Sequence, residues 1–175
     1  MSDLLIRKSE LSDIPAITSI YAQHVASGTA SFETDAPNRE EIGRRRDRAL
    51  RSGLPYLVAE RNGAVAGFAY AAPYRPRPAY RFTIEDSVYV HPWHLRKGAG
   101  HALLAELIRQ CETGPWRQMI AVIGDSANTG SIRLHESLGF RNVGVFQSVG
   151  WKFDRWLDTV LMQRALGSGD RKPAT

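Results

Sequence analysis

The sequence has only one cysteine, Cys111, among its 175 residues. A single thiol permits neither an internal disulfide nor a zinc site built from several thiolates, and a reducing, cytoplasmic setting is expected. Long apolar runs are also lacking, since none approaches the roughly 20 residues that a membrane helix needs. The first residues, MSDLLIRKSELSD, are charged and contain no apolar signal-peptide core. The sequence therefore predicts neither export nor a membrane partner.

Acidic residues are fewer than basic ones, 18 against 23, which gives a formal net charge of +5. This excess points to a polyanionic partner, which could be nucleic acid, a membrane surface or a phosphate-bearing small molecule. The densest basic run, residues 44–51, has acidic neighbours and is interpreted as a solvated helix face. With 43% hydrophobic residues the chain can form a core. We expect one domain over residues 1–166 and a flexible polar tail over residues 167–175.

Hydrophobic periodicity and turn signals predict alternating strands and helices. Asn38 and Glu41 match a capping box, Asn62-Gly63 predicts a hairpin, and Gly139 predicts a helix end. Residues 30–34 form either a short strand or a loop at a pocket edge. The remaining strands are expected at 4–7, 55–61, 64–74, 81–90, 118–123, 143–149 and 153–166, and the helices at 13–25, 38–53, 98–112 and 128–138. The predicted class is α+β, with a mixed, mostly antiparallel sheet flanked by helices.

A strand, a loop and a helix start follow one another between Ser87 and Leu104. Gly98 and Gly100 let the backbone approach a ligand closely, and the first amides of the helix form an anion site. A lone Gly-x-Gly is a weak signal that also fits a tight turn. Neither a Walker lysine-serine pair nor a full G-x-G-x-x-G is present, which disfavours an NTPase P-loop and a dinucleotide-binding fold.

Taken together, residues 85–104 and the pattern Asn128-x-x-Ser131-x-x-x-His135-x-x-x-Gly139-Phe140 resemble the GNAT N-acetyltransferase superfamily. Segments 30–34, 83–90 and 149–158 are most similar to its phosphinothricin and methionine sulfoximine N-acetyltransferases. The resemblance covers residues 4–166. It implies direct acetyl transfer from acetyl-CoA to the amine of a small amino-acid analogue, and with it a role in antibiotic or herbicide resistance. A protein N-terminus, a lysine or a polyamine is the alternative acceptor.

The resemblance also implies which residues bind acetyl-CoA. Strand backbone would pair with the pantetheine, loop amides would hold the pyrophosphate, and the next helix would add side chains. The implied residues are Val88, Tyr89, Val90, Arg96, Lys97, Gly98, Ala99, Gly100, His101, Asn128 and Ser131. Leu95 departs from the family pattern, which has Arg or Gln at that position.

Amine acetylation requires a base for the ammonium and a proton for the leaving thiolate. Glu85 is the predicted base, placed in an apolar and hydroxylic run, and its alternative is a structural ion pair with Arg75 or Arg81. His135 stands where many relatives carry a tyrosine acid, and its alternative is a packing histidine. Asp86 is the weaker candidate, because it faces the other side of the strand.

The acceptor site is predicted around a proline- and arginine-containing loop. Arginines 75, 77 and 81 suit a carboxylate, since guanidinium binds it through two hydrogen bonds. The proposed substrate-binding residues are Phe32, Tyr74, Arg75, Pro78, Ala79, Tyr80 and Arg81. Lys152 and Arg155 could add a rim, which a neighbouring subunit supplies in relatives, and a homodimer is therefore expected.

A metal site and a nucleic-acid-binding function are two further possibilities. His91, His94 and His101 lack carboxylate or cysteine partners at metal-ligand spacing, so no metal site is predicted. A nucleic-acid-binding module is motivated only by the positive charge, and no helix-turn-helix, zinc finger or RNA-binding motif supports it. No nucleic-acid partner is therefore expected.

Overall fold

The computed structural model describes residues 4–174, so residues 1–3 of the predicted domain and Thr175 of the predicted tail lie outside the described residues. Within this range one seven-stranded sheet has the order β1-β2-β3-β4-β5-β7-β6. The strands are β1 Leu4–Lys8, β2 Tyr56–Arg61, β3 Ala64–Pro73, β4 Thr83–Val90, β5 Gln118–Gly124, β6 Arg141–Lys152 and β7 Arg155–Ala165. The helices are α1 Ile14–Ser27, α2 Arg39–Arg51, α3 Ala99–Cys111 and α4 Thr129–Ser137.

Neighbouring strands are antiparallel at every pairing except β4–β5, which is parallel. The predicted α+β class with a mixed, mostly antiparallel sheet is thereby confirmed. In the described part of the chain no helix is long and apolar enough to cross a membrane.

Each face of the sheet carries its own apolar core. Leu103, Leu104 and Leu107 of α3 are fully buried against one face, and Ile17 and Ile20 of α1 belong to the core on the other. Truncating such a side chain to alanine typically costs about 2–5 kcal/mol of stability. The two helical layers therefore fix which strand residues face α1 and which face α3.

Local turn signals produce the structures that they predict. Asn62 and Gly63 have φ angles of 53° and 75°, as a type I′ hairpin requires. The Asn38 side chain accepts a hydrogen bond from Glu41 N at 2.9 Å and caps α2. Residues 30–34 form a loop and not a strand. The final strand begins at Arg155, two residues later than predicted, because Phe153 and Asp154 with φ of 53° and 54° make the turn.

Strands β4 and β5 separate partway along their length. Their parallel register runs from Thr83↔Gln118 to Asp86↔Ala121 and ends there, while β5 stays paired with β7 as far as Gly124. Ser87 to Val90 therefore border an opening in the sheet. We call this gap the strand opening.

Candidate active site

The backbone of β4 leaves hydrogen-bonding groups free at the strand opening. Tyr74 N donates to Thr83 O at 3.2 Å and His91 N donates to Ala66 O at 2.9 Å, so odd-numbered β4 residues pair with β3. In an antiparallel ladder the alternate residues point the other way, so Val88 and Val90 direct their N–H and C=O groups into the opening.

His24 of α1 already uses one of these groups. Its Nε2 donates to Val90 O at 2.9 Å. Tyr89, which the sequence grouped with Val88 and Val90, directs its backbone towards β3 instead. The free N–H and C=O of Val88 and the N–H of Val90 are what a strand-like ligand would meet here.

A cleft of about 500 Å³ lies beside these groups. The first intrahelical bond of α3 runs from Ala102 N to Gly98 O at 3.0 Å, so the amides before it have no acceptor within the helix. Gly98 has φ of 84°, a left-handed conformation that favours glycine and turns the loop into α3. The predicted cofactor residues that line this cleft are Val88, Val90, Arg96, Gly98, Gly100, His101, Asn128 and Ser131. We call it the cofactor cleft.

Three predicted cofactor residues do not line the cofactor cleft: Tyr89, whose backbone faces β3, Lys97 and Ala99. Ala99 is buried in the core, and Lys97 folds back so that its Nζ donates to Trp93 O at 2.8 Å. Leu95, at the position where the family pattern has Arg or Gln, is 52% exposed at the rim of this cleft. Because Leu95 has no side-chain donor, the cleft offers backbone donors at the position where the family pattern has Arg or Gln.

His135 lies at the strand opening in a buried pair. Its Nε2 is 3.0 Å from Asp86 Oδ2, and its Nδ1 donates to Ser131 O at 2.7 Å. Burial of the imidazole lowers its pKa, but the hydrogen bond and the charge of Asp86 outweigh burial, and the pKa is raised. The geometry therefore suits an imidazolium facing a carboxylate.

Glu85 lies on the opposite face of β4, as strand alternation predicts. It borders a second cleft of about 380 Å³, together with Phe32, Tyr70 and Ser87. Burial, with a smaller contribution from the charge of Asp86, raises the pKa of Glu85 to about 7, and Arg75 only moderates this rise by its charge. Within residues 4–174 Glu85 forms no ion pair with Arg75 or Arg81. We call the cleft that Glu85 borders the acceptor cleft.

One loop lies where the clefts meet. The acceptor cleft and the strand opening share Ser87 and Val122, and the opening and the cofactor cleft share Val88 and Ser131. Ala30 borders all three. Ala30 belongs to residues 28–33, which follow α1 and which we call the crossover loop.

The other predicted substrate residues lie on the loop between β3 and β4. Arg75, Pro78 and Arg81 line a separate cleft against Trp116, and Ala79 is exposed. Tyr74 and Tyr80 pack edge to face with ring centroids 5.7 Å apart. Of the predicted acceptor set, all within the described residues, the structure therefore brings only Phe32 into the cleft that Glu85 borders, with Arg75 acting on Glu85 through its charge.

Several residues of the site were not predicted from the sequence. Glu33 reaches the acceptor cleft, where Arg45 Nη1 donates to it at 2.6 Å. Tyr70 borders the same cleft, and burial raises the pKa of its phenol. Alternation along β3 and β4 places Tyr70 opposite Ser87, which was the signal available. No sequence signal points to Glu33 or to its pairing.

Within residues 4–174 no group of three or more His, Cys, Asp or Glu side chains is arranged to hold a metal ion.

A sheet that opens beside a helix N-terminus, with a carboxylate across the opening, suits acyl transfer from a long phosphate-bearing thioester. The fold and this site define a CoA-dependent N-acetyltransferase.

Comparisons with known proteins agree with this class. A family model described as acetyltransferase (GNAT) family matches residues 18–140. A phosphinothricin N-acetyltransferase of Alcaligenes faecalis is 59% identical over 90% of this chain and 80% of its own length. An L-methionine sulfoximine/L-methionine sulfone acetyltransferase of Salmonella typhimurium is 41% identical over 93% of this chain and 95% of its own length.

A solved structure gives the same result. The phosphinothricin acetyltransferase of Sinorhizobium meliloti in complex with acetyl-CoA has a TM-score of 0.95 and 43% identity, covering 98% of this chain and 93% of that one. The chain belongs to the acetyltransferase (GNAT) family, and acetyl-CoA is its acetyl donor.

Proposed function

We propose that the protein acetylates the amino group of a small amino-acid analogue of the phosphinothricin or methionine sulfoximine type, by direct transfer from acetyl-CoA. The observation that carries the proposal is a largely buried carboxylate, Glu85, in a cleft that meets the cofactor cleft at the strand opening. The printed activities of the relatives supply the acceptor class. A role in resistance to such inhibitors follows from the same chemistry.

Backbone groups do most of the donor binding in this proposal. Val88 and Val90 pair with the pantetheine through the groups that β5 leaves free. The loop of Arg96 and the first amides of α3, at Gly98, Gly100 and His101, hold the pyrophosphate. When bound, acetyl-CoA supplies the acetyl group as an activated thioester.

Glu85 acts as the base. An amine attacks only after its ammonium has lost a proton, and a carboxyl whose pKa is about 7 is suited to take that proton near neutral pH. His135 remains the proposed acid for the departing thiolate, because the hydrogen bond and charge of Asp86 raise the pKa of its ring and favour the protonated form. Asp86 holds that ring in place.

The charge around the acceptor cleft favours an acceptor with a carboxylate. Glu33 is neutralised by Arg45, and Arg75 is the cation whose field reaches Glu85. A polyamine would require acidic groups that lack such partners. Phe32 supplies apolar surface for the acceptor side chain.

We also propose a homodimer. β6 is an edge strand that carries a row of exposed apolar side chains, and such a patch marks an interaction surface. The row comprises Val143, Val145, Phe146, Val149 and Trp151, with Trp156 beside it on β7. A second copy is the proposed occupant. Light scattering of wild type and of Phe146→Glu tests this: the variant should be monomeric, and a monomeric wild type would contradict it.

A thiol-release assay tests the activity. Acetyl-CoA is incubated with phosphinothricin, methionine sulfoximine, methionine sulfone, spermidine and a lysine peptide. Turnover of the first three at least tenfold above the last two is expected. Preferential turnover of spermidine or of the peptide would overturn the proposed acceptor class while leaving the family assignment unaffected.

A further inference from the structure

A buried lysine holds the crossover loop. Lys152, the last residue of β6, is 5% exposed. Its Nζ donates to Gly28 O at 2.9 Å and to Ser31 O at 2.8 Å. Lysine is almost never fully buried without partners, because its ammonium loses hydration. These two carbonyls are therefore the groups that compensate this charge most directly.

The two acceptors lie on either side of Ala30, at the first residue of the crossover loop and at Ser31. Between them is Ala30, which borders the cofactor cleft, the strand opening and the acceptor cleft. One residue beyond Ser31 is Phe32, which lines the acceptor cleft. A side chain that holds the backbone on both sides of Ala30 therefore holds a wall that the two substrate clefts share.

The ring of Phe32 is also held by β6. A Cβ added at Gly150 would lie 2.3 Å from Phe32 Cε2, so the ring occupies the space that the glycine leaves open. Gly124 on β5 approaches the other side of the ring, with a Cβ position 2.8 Å from Phe32 Cε1. The strand end at Lys152 and the ring contact at Gly150 therefore act on the same loop from one element.

Other contacts also hold the loop: Gly28 N donates to His24 O at 3.0 Å at its start, and Tyr21 holds side chains of its far part. Tyr21 Oη is 2.9 Å from Ser31 Oγ and donates to Glu33 Oε1 at 2.9 Å. Both bonds involve side chains beyond Ala30. The carbonyl of Gly28 lies on the near side, where Lys152 reaches it.

We propose that Lys152 is a positioning residue that sets the crossover loop over the cofactor and acceptor clefts. It touches neither Glu85 nor His135. Its removal should therefore weaken binding of both substrates more than it slows the chemical step. The acceptor part of this inference rests on the proposed function, whereas the loop and cofactor parts do not.

The experiment compares Lys152→Met with Lys152→Arg and Lys8→Met. Methionine keeps an unbranched apolar stem and loses the donors, arginine keeps donors and charge, and Lys8 is an exposed lysine on β1. Hydrogen exchange of peptides covering residues 28–33 and calorimetric binding of acetyl-CoA are measured without any acceptor. KM and kcat for phosphinothricin are then measured with saturating acetyl-CoA.

In Lys152→Met the amide hydrogens of residues 28–33 should exchange faster, while those of α3 peptides should be unchanged. The variant should bind acetyl-CoA about tenfold more weakly. Its KM for the acceptor should rise about tenfold, with kcat within threefold of wild type. Lys152→Arg should retain part of the affinity, and Lys8→Met should match wild type. Unchanged exchange, or equal losses in the arginine and methionine variants, would overturn the proposal. If Lys152→Met does not fold, Lys152→Gln provides the same comparison.

The two proposals fail in different ways. A wild-type protein that does not acetylate phosphinothricin or methionine sulfoximine contradicts the proposed function. Loop exchange and acetyl-CoA affinity in the Lys152 variants still decide the positioning role, because neither measurement requires an acceptor.

Discussion

Replacing Glu85 by glutamine should stabilise the protein at alkaline pH while it removes activity. Burial raises the pKa of this carboxyl from 4.5 to about 7. Each tenfold change in a proton dissociation constant corresponds to about 1.4 kcal/mol. The rise therefore corresponds to about 3 kcal/mol, reduced to about 2–3 kcal/mol because the cleft admits solvent that screens the charge.

The sign follows from proton uptake. Between pH 4.5 and about 7 the folded protein holds a proton on Glu85 that the unfolded chain has lost, so stability decreases as pH rises through this window. Below it both states are protonated, and above it the folded state carries the full cost of an ionised, buried carboxylate. Glutamine is neutral throughout. The stability gain of Glu85→Gln should therefore grow by about 2–3 kcal/mol between pH 4.5 and pH 8.

Urea denaturation of both proteins at pH 4.5, 6, 7 and 8 measures this difference. Glu106→Gln is the matched control: hydrogen bonds from Arg109 and Gln110 lower the pKa of Glu106 to about 2, so its replacement should cost a little stability with no trend across this range. Turnover of Glu85→Gln should fall by about 10²–10⁴-fold, as for loss of a general base. A stability difference that stays flat with pH, or full activity at pH 7, would refute the reasoning.

Three further substitutions test other parts of the structure. Gly98→Ala should weaken acetyl-CoA binding several-fold by calorimetry, since alanine at φ of 84° costs about 1 kcal/mol, whereas Gly53→Ala, with φ of 72° and away from the cofactor cleft, should bind like wild type. Gly150→Ala should displace Phe32 and raise the acceptor KM with less effect on the KM of acetyl-CoA, and equal effects on both would contradict this. Asn38→Ala should lower the free energy of unfolding by about 1 kcal/mol in urea, and no change would show that the cap contributes nothing.

Features that depend on a few neighbouring residues are predictable from the sequence. The hairpin at Asn62 and Gly63 and the cap at Asn38 require only local backbone geometry and one side-chain hydrogen bond. The helix end at Gly139, with φ of 83°, is of the same kind. The cofactor cleft was predictable for a related reason, because a strand, a loop and a helix start are contiguous in the chain.

Contacts between distant segments were not predictable. His135 and Asp86 are 49 residues apart, and Lys152 and Ser31 are 121 residues apart. The sequence predicts Lys152 as a rim residue of the acceptor site, whereas in the structure it is buried and bonded to two carbonyls of the crossover loop. The sequence of residues 30–34 does not distinguish a strand from a loop, because the conformation depends on contacts with Tyr21, Gly124 and Gly150.

The arginines that give the chain its positive charge differ in whether they have acidic partners. In α2, Arg44 and Arg45 form ion pairs with Glu40, Glu41 or Glu33, as a solvated helix face with acidic neighbours should. In contrast, within residues 4–174, Arg96 forms no ion pair and lines the cofactor cleft, and the arginines at positions 75, 77 and 81 form none and line the separate cleft against Trp116. Ion pairing therefore cancels only part of the dense run, since within the described residues Arg48 and Arg51 of α2 form no ion pair. Among the described arginines without an acidic partner, Arg96 lines the cofactor cleft, so the positive charge indicates the pyrophosphate chemistry through this residue and not through the net sum.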